Sequence, residues 1–280
     1  MKNIPNYVKD KVIIITGAAG AFGGLVSRKL AAMGGKIVMA DIKEDNLKTA
    51  VEEIKTSGGE ATYTVTDVTN RDQMFAMAEY AKNTYGRIDV LVNNAGTMPV
   101  SFMADHKIAW EAWDLCINIG IHGTLYGIEA VYDTMIEQGC GQIINISSIW
   151  GNSPAKGAAA YVATKAAVRY LTESLSKETR GKIKTTVVRP TGISTGLMTT
   201  IVNSDGNVGI LQDEFENWKE RAKLRMEGKA PAEASDVNSI QLWSLPADYL
   251  ADNIVYVINQ PWGVNISDIT IRASGDLFML

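Results

Sequence analysis

Cysteine and histidine are scarce in this 280-residue chain: two of each, Cys116 and Cys140, His106 and His122. The two cysteines show no metal-ligand spacing and require no pairing, which fits a reducing cytosol. Two histidines leave few candidates for a His-rich metal site or a Ser-His-Asp hydrolase, so no metal is expected. No apolar run reaches the length of a membrane span, and the opening "MKNIPNYVKDK" lacks a signal-peptide core. A cytoplasmic protein with no membrane partner is expected. The formal net charge is −4, against the basic balance of a general nucleic-acid binder. What is present is ordinary globular composition, 46% hydrophobic and 21% charged, in a length sufficient for one large core.

Short β-branched runs alternate with helical segments. Strands are predicted at 11–16, 36–41, 61–67, 88–96, 141–148, 183–190 and 264–273. The first of them, "KVIIIT", is apolar throughout, as a strand buried on both faces should be. Helices are predicted at 21–34, 43–57, 70–85, 108–138, 158–180 and 246–259. Repeated strand-helix units imply one α/β domain: a Rossmann-type doubly wound parallel sheet of about seven strands, with helices on both faces. Residues 191–231 interrupt the rhythm after the sixth strand. They would lie at the carboxyl end of the sheet, either as a mobile lid over a ligand or as a plain surface hairpin.

"TGAAGAFGG" (16–24) follows the first strand and opens the first helix. Glycines there let the backbone approach a pyrophosphate, and the helix N-terminus offers free N–H groups. Asp41 ends the second strand, where a carboxylate can bind both hydroxyls of an adenosine ribose. It would repel a 2′-phosphate, and Lys43 is the one cation close by in sequence, so NAD is favoured over NADP.

Tyr161 and Lys165 lie four apart on one helix, so an ammonium is available to a phenol. A free tyrosine titrates near 10, and a positive charge within about 4–6 Å lowers that value. The pair therefore fits proton exchange beside a hydride transfer, although a Tyr-x-x-x-Lys pattern alone is common by chance.

Together these pieces resemble the classical short-chain dehydrogenase/reductase family over nearly the whole chain. The matching segments are "TGAAGAFG" (16–23), "TDV" (66–68), "NNAG" (93–96), "NIGIHGT" (118–124), "NISS" (145–148), "YVATK" (161–165) and "RPTGIST" (189–195). The resemblance implies a catalytic set of Asn118, Ser148, Tyr161 and Lys165, with Ser148 taken over Ser147 because it lies 13 residues before Tyr161. It implies that Gly17, Gly20, Ala21, Phe22 and Gly23 hold the cofactor phosphates, with Asp41 and Ile42 at the ribose. Asp67 and Val68 would sit at the adenine, and Asn94, Ala95 and Gly96 would line the cleft. Tyr161 and Lys165 also contact the cofactor, as would Pro190, Ile193 and Thr195. Asn118 would fix its helix locally and hold a water that leads protons to bulk, with a purely structural asparagine as the alternative. A homotetramer or dimer is implied as well.

Three departures stand out. Ala21 replaces the family's middle glycine, which is tolerable only if the backbone there is helical. Pro190-Thr191 replaces Pro-Gly, with Gly192 one residue later. The common C-terminal "DGG" is absent. Met98, Pro99, Met103, Trp150 and Thr191 are candidates for the substrate pocket, with ordinary packing as the alternative. Trp110, Trp113 and His122 are expected to pack, His106 to lie in a surface loop, and Lys219, Arg221, Lys223 and Arg225 to form a solvated face.

The expected activity is reversible NAD-dependent oxidation of a secondary alcohol to a ketone, on a substrate such as a hydroxysteroid or cyclic alcohol. An NADP-dependent carbonyl reductase and a catalytically silent nucleotide-binding regulator are the rivals. A nucleotide-sugar epimerase would need a larger substrate domain.

Overall fold

The computed structural model describes residues 5–193 and 196–278. Seven strands, β1 (Val12–Thr16), β2 (Lys36–Asp41), β3 (Glu60–Val65), β4 (Val90–Asn93), β5 (Gly141–Ile146), β6 (Ile183–Pro190) and β7 (Asp268–Ile271), form one sheet in the order β3-β2-β1-β4-β5-β6-β7. Every neighbouring pair is parallel. The order reverses between β1 and β4, which opens a crevice at the carboxyl ends of the strands.

The apolar runs explain themselves through the pleat. Ile13, Ile15, Ile37, Met39, Val90 and Val92 point to one face and bury against α1 (Ala21–Ala32), α2 (Glu44–Thr56) and α9 (Ala247–Ile258). Val12, Ile14, Val38, Ala40 and Leu91 point to the other, against α3 (Arg71–Tyr85), α5 (Gly123–Gln138) and the end of α6 (Ala159–Glu178). Alternate side chains thus serve two cores, so no position along these strands can be polar without a partner.

Boundaries differ from expectation where polar side chains intervene. β4 begins at Val90 rather than 88, because Asp89 is buried and accepts from the Val12 N–H (2.9 Å) and the Arg87 guanidinium (2.6 Å). The single helix expected over 108–138 is α4 (His106–Ile117), a π-helical turn (Asn118–His122) and α5. After β6 the chain runs through 3-10 turns (Gly196–Thr200, Ser204–Asn207), the short α7 (Val208–Leu211) and α8 (Phe215–Met226) before α9.

At the amino end of the sheet, Lys11 and Lys184 lie over the Trp262 ring, 4.6 and 5.3 Å from its centroid. Lys11 Nζ donates to Ile258 O (3.0 Å) and Lys184 Nζ to Val264 O (3.0 Å). Burial, with repulsion from Lys11, lowers the Lys184 ammonium to about 8.

Candidate active site

One cleft of about 690 Å³ opens along the carboxyl ends of the strands. At its first end, β1 stops at Thr16 and α1 starts at Ala21. A Cβ on Gly23 would collide with Gly17 O and stand 2.9 Å from Ala18 Cα, so only glycine lets the helix close on the turn. Ala21 has ordinary helical backbone and an exposed side chain, so its methyl is accommodated. Asn94 braces the same turn: its Nδ2 donates to Thr16 O (2.9 Å) and Gly17 O (3.3 Å). Asp41 Oδ2 accepts from Ala19 N (3.1 Å), which fixes a carboxylate beside the turn, and its Oδ1 accepts from Lys43 N (3.0 Å). Asp67 Oδ1 accepts from Thr69 N (2.9 Å), and Val68 is buried beside Gly123. Gly20, Phe22, Ile42, Lys43, Ala95 and Gly96 line this end.

Ser148, Tyr161 and Lys165 come together at the middle of the cleft, and all three are buried. Lys165 Nζ lies 5.8 Å from the Tyr161 ring centroid and donates to Ile146 O (2.8 Å). Ser147 Oγ is spent on Lys165 O (2.7 Å), whereas Ser148 Oγ faces the cleft and accepts from Trp150 N (3.2 Å). Trp150 meets the Tyr161 ring edge-on at 5.6 Å. Burial pushes the Tyr161 phenol well above its usual range, partly offset by the Ser148 hydroxyl. Burial also lowers the Lys165 ammonium, to about 8. The expected acidification of the phenol is therefore outweighed by desolvation in the protein alone, and the phenol is held protonated.

Asn118 does not join the other three. Its Nδ2 donates to Asp114 (3.1 Å) and its Oδ1 pairs with His122 Nδ1 (3.0 Å), one turn before and after it on the same helix face. The face toward α6 carries Gly120 instead, pressed against Thr164. Three milder expectations also change. His122 is exposed and stacked on Tyr126, Trp110 is 57% exposed, and His106 begins α4 rather than lying in a loop. Trp113 packs as expected, with Nε1 donating to Ser101 Oγ (2.7 Å). The small residues before α6 serve packing: Gly157 lies against Gly206 of the crossover after β6.

The departures after β6 find a physical account. Gly192 takes φ +58°, and a Cβ there would stand 2.7 Å from Asp276 Oδ2. The left-handed residue is thus one position later than the family pattern. Thr191 is buried and donates from Oγ1 to Asp276 Oδ2 (3.1 Å), which ties the end of β6 to the segment after β7. Ile193 bridges to Leu245. Pro190, Thr191 and Ile193 line the cleft, and Thr195 lies outside the described residues.

The far wall was only partly legible in the sequence. Met98 and Trp150 line it, joined by Leu197, Trp218, Trp243 and Phe278, whereas Pro99 and Met103 lie outside it and Met103 is exposed to solvent. Phe278 packs on Trp150 at 5.4 Å. Lys219 and Lys223 face solvent and pair with Glu216 (2.6 Å) and Glu227 (4.0 Å), but Arg221 and Arg225 turn into the cleft. The signal for this was the spacing Trp218, Arg221, Ala222, Arg225, one face of a helix. Among the described residues no group of three or more His, Cys, Asp or Glu is placed to hold a metal, and no helix is long and apolar enough to cross a membrane.

Residues 11–206 match the family described as short chain dehydrogenase. An uncharacterized oxidoreductase of Staphylococcus saprophyticus is 36% identical over 274 residues, covering 96% of this chain and 98% of its own. An alcohol dehydrogenase of Thermococcus sibiricus, solved with 5-hydroxy-NADP, shares the fold with a TM-score of 0.75 at 20% identity, covering 95% of this chain and 97% of its own. A short-chain dehydrogenase/reductase of Burkholderia phymatum in complex with NAD does so at 0.74 and 24% identity, covering 94% and 89%.

Proposed function

The chain belongs to the short-chain dehydrogenase family of oxidoreductases, and from that premise we propose that it interconverts a secondary alcohol and a ketone with NAD(H), Tyr161 moving the proton. The observation that carries this reading is the buried cluster of Ser148, Tyr161 and Lys165 in a cleft that also holds the glycine turn.

The residues present fit a dinucleotide. The turn that Gly23 keeps narrow leaves the first N–H groups of α1 open to a diphosphate, and the Asp41 carboxylate stands where a ribose would present its hydroxyls. A bound nicotinamide supplies the hydride acceptor, or in its reduced form the donor. Tyr161 donates its proton to the carbonyl oxygen as that oxygen gains charge, and takes it back in the oxidative direction. A phenol kept protonated by burial suits the donor role directly. Ser148 positions the reacting oxygen. Lys165 offers its ammonium to the cofactor's ribose and to the phenol. Asn118 is left out, because its amide is spent on Asp114 and His122.

The aromatic and aliphatic wall of Met98, Trp150, Leu197 and Phe278 supports a substrate with an apolar body, such as a cyclic alcohol or hydroxysteroid. The crossover from Gly196 through α8 forms the roof, and we read it as a lid. Exposed apolar side chains on α4, α5 and α6 (Trp110, Ile117, Leu125, Tyr170) and near α9 and β7 (Tyr256, Val264) support a homo-oligomer with two kinds of contact. Lys43 at the rim near Asp41 favours one second reading, in which it holds a 2′-phosphate and the cofactor is NADP.

Initial rates on a panel of cyclic ketones, steroids and keto acids test this. NADH should show a KM at least about tenfold below that of NADPH, as a like-charge contact at Asp41 requires. The opposite ratio establishes the NADP reading. Absence of both turnover and NADH binding ends the proposal.

A further inference from the structure

We propose that Arg221 and Arg225 form an anion subsite at the rim of the cleft, and that the substrate carries a carboxylate on its apolar body. This rests on the activity proposed above and specifies its substrate class.

Both guanidiniums belong to the cleft-facing side of α8. They lie over one indole, with their carbons 4.7 and 5.6 Å from the Trp243 centroid. Cation–π contact fixes such groups in place while leaving their N–H donors free. Arg221 spends one donor on Gly275 O (2.6 Å), and the Arg225 side chain spends none among the described residues. Neither has a carboxylate within 4.0 Å among those residues, whereas Lys219 and Lys223 on the outer side of the same helix are both paired.

The nearby acids are committed elsewhere. Glu214 holds the Asn217 amide (2.9 Å), and Asp276 holds Thr191 Oγ1 and the Phe278 N–H (both 3.1 Å). Two cations over one indole therefore stand at the edge of an apolar, aromatic wall with donors to spare. A planar carboxylate satisfies that geometry through two parallel bonds. The segment that Arg221 holds at Gly275 O also carries Phe278, which packs on Trp150, and Trp150 meets Tyr161, so apolar side chains lead from that segment to the reacting group.

The position argues against the cofactor as the source of the anion. Arg221 is anchored beside the segments that follow β6 and β7, through Gly275 and through Trp243. Asp41 ends β2, four strand intervals from β6 or roughly 19 Å across the sheet. The glycine turn, after β1, is three intervals away.

The test titrates the full-length protein with octanoate and with octan-1-ol, read by the fluorescence of Trp218 and Trp243, without requiring turnover. Octanoate should bind about tenfold more tightly than the alcohol, and R221M/R225M should bring the two together with alcohol affinity held within about twofold. R225M alone should lose about half of that logarithmic preference. It keeps the test intact if the double variant unfolds, because Arg225 is exposed and its side chain touches the rest of the fold through the Trp243 ring, with no hydrogen bond among the described residues. Equal binding of acid and alcohol by the wild type, or an unchanged preference in R225M, overturns the subsite. So does a variant that loses NADH affinity while keeping octanoate, which would assign the pair to the cofactor's diphosphate. Failure of the dehydrogenase reading shows separately, as absent NADH binding and absent turnover in wild-type protein.

Discussion

At the carboxyl end of the sheet, Lys165 lies 5.8 Å from the Tyr161 ring centroid and donates to Ile146 O. At the amino end, Lys184 lies 5.3 Å from the Trp262 ring and donates to Val264 O. Burial lowers both ammonium groups to about 8. The likeness ends with their neighbours. Lys165 shares a cleft with a titratable ring hydroxyl and with Ser148, whereas the indole beside Lys184 has no proton to trade and the backbone carbonyls around it only anchor the charge. A perturbed lysine thus marks a site only when a reactive partner and an open volume come with it.

Replacing each lysine separates the two ends. Lys165→Met should lower kcat by about 10²–10⁴-fold, the range for a lost contribution to proton transfer, whereas Lys184→Met should leave kcat within about twofold. Steady-state rates with NADH and the best ketone of the panel decide it, and equal losses would erase the distinction.

Stability should not distinguish them, because both ammonium groups are lowered alike. A lysine whose folded value lies below its ordinary 10.5 binds its proton more readily when unfolded, so it costs stability below about pH 8 and that cost fades as pH rises. Lys11 shifts in the same direction. Unfolding free energy should therefore rise between pH 8 and about 10, opposed in part by the Cys116 thiol, which burial pushes up, and above that window by Tyr85, pushed up to about 12 by burial, and by Tyr161. Denaturant melts across that window should show the rise, and Lys184→Met and Lys165→Met should each reduce it, only the second lowering activity as well.

The smallest effect is expected at Asn118. Asn118→Ala should change kcat by less than about twofold and stability by about 0.5 kcal/mol, as for a surface hydrogen bond. A hundredfold fall in kcat would return it to the chemistry.

The glycine turn, Asp41, Asn94, Ser148, Tyr161 and Lys165 were legible because each sits at the end of a strand or on the helix after it. Short local patterns suffice to place such residues at the carboxyl edge of a parallel sheet. Asn118 misled because a residue number fixes a helix face only if the turn is regular, and here the helix widens into a π turn. Arg221, Trp243 and Phe278 were hidden for a different reason. Arg221 meets Trp243 and Gly275, and Phe278 meets Trp150, only through tertiary contacts among α8, the loop before α9, the segment after β7 and the turn after β5. Their charge pattern alone matched an ordinary solvated helix until the structure divided α8 into a paired outer face and an inner one.

The most direct test of the central claim is single-turnover hydride transfer in Tyr161→Phe, followed by NADH absorbance, with NADH affinity measured on the same protein. NADH binding should stay within about twofold of wild type while the transfer rate falls by at least about 10²-fold, as a lost proton donor requires. Transfer at the wild-type rate would contradict that role for Tyr161.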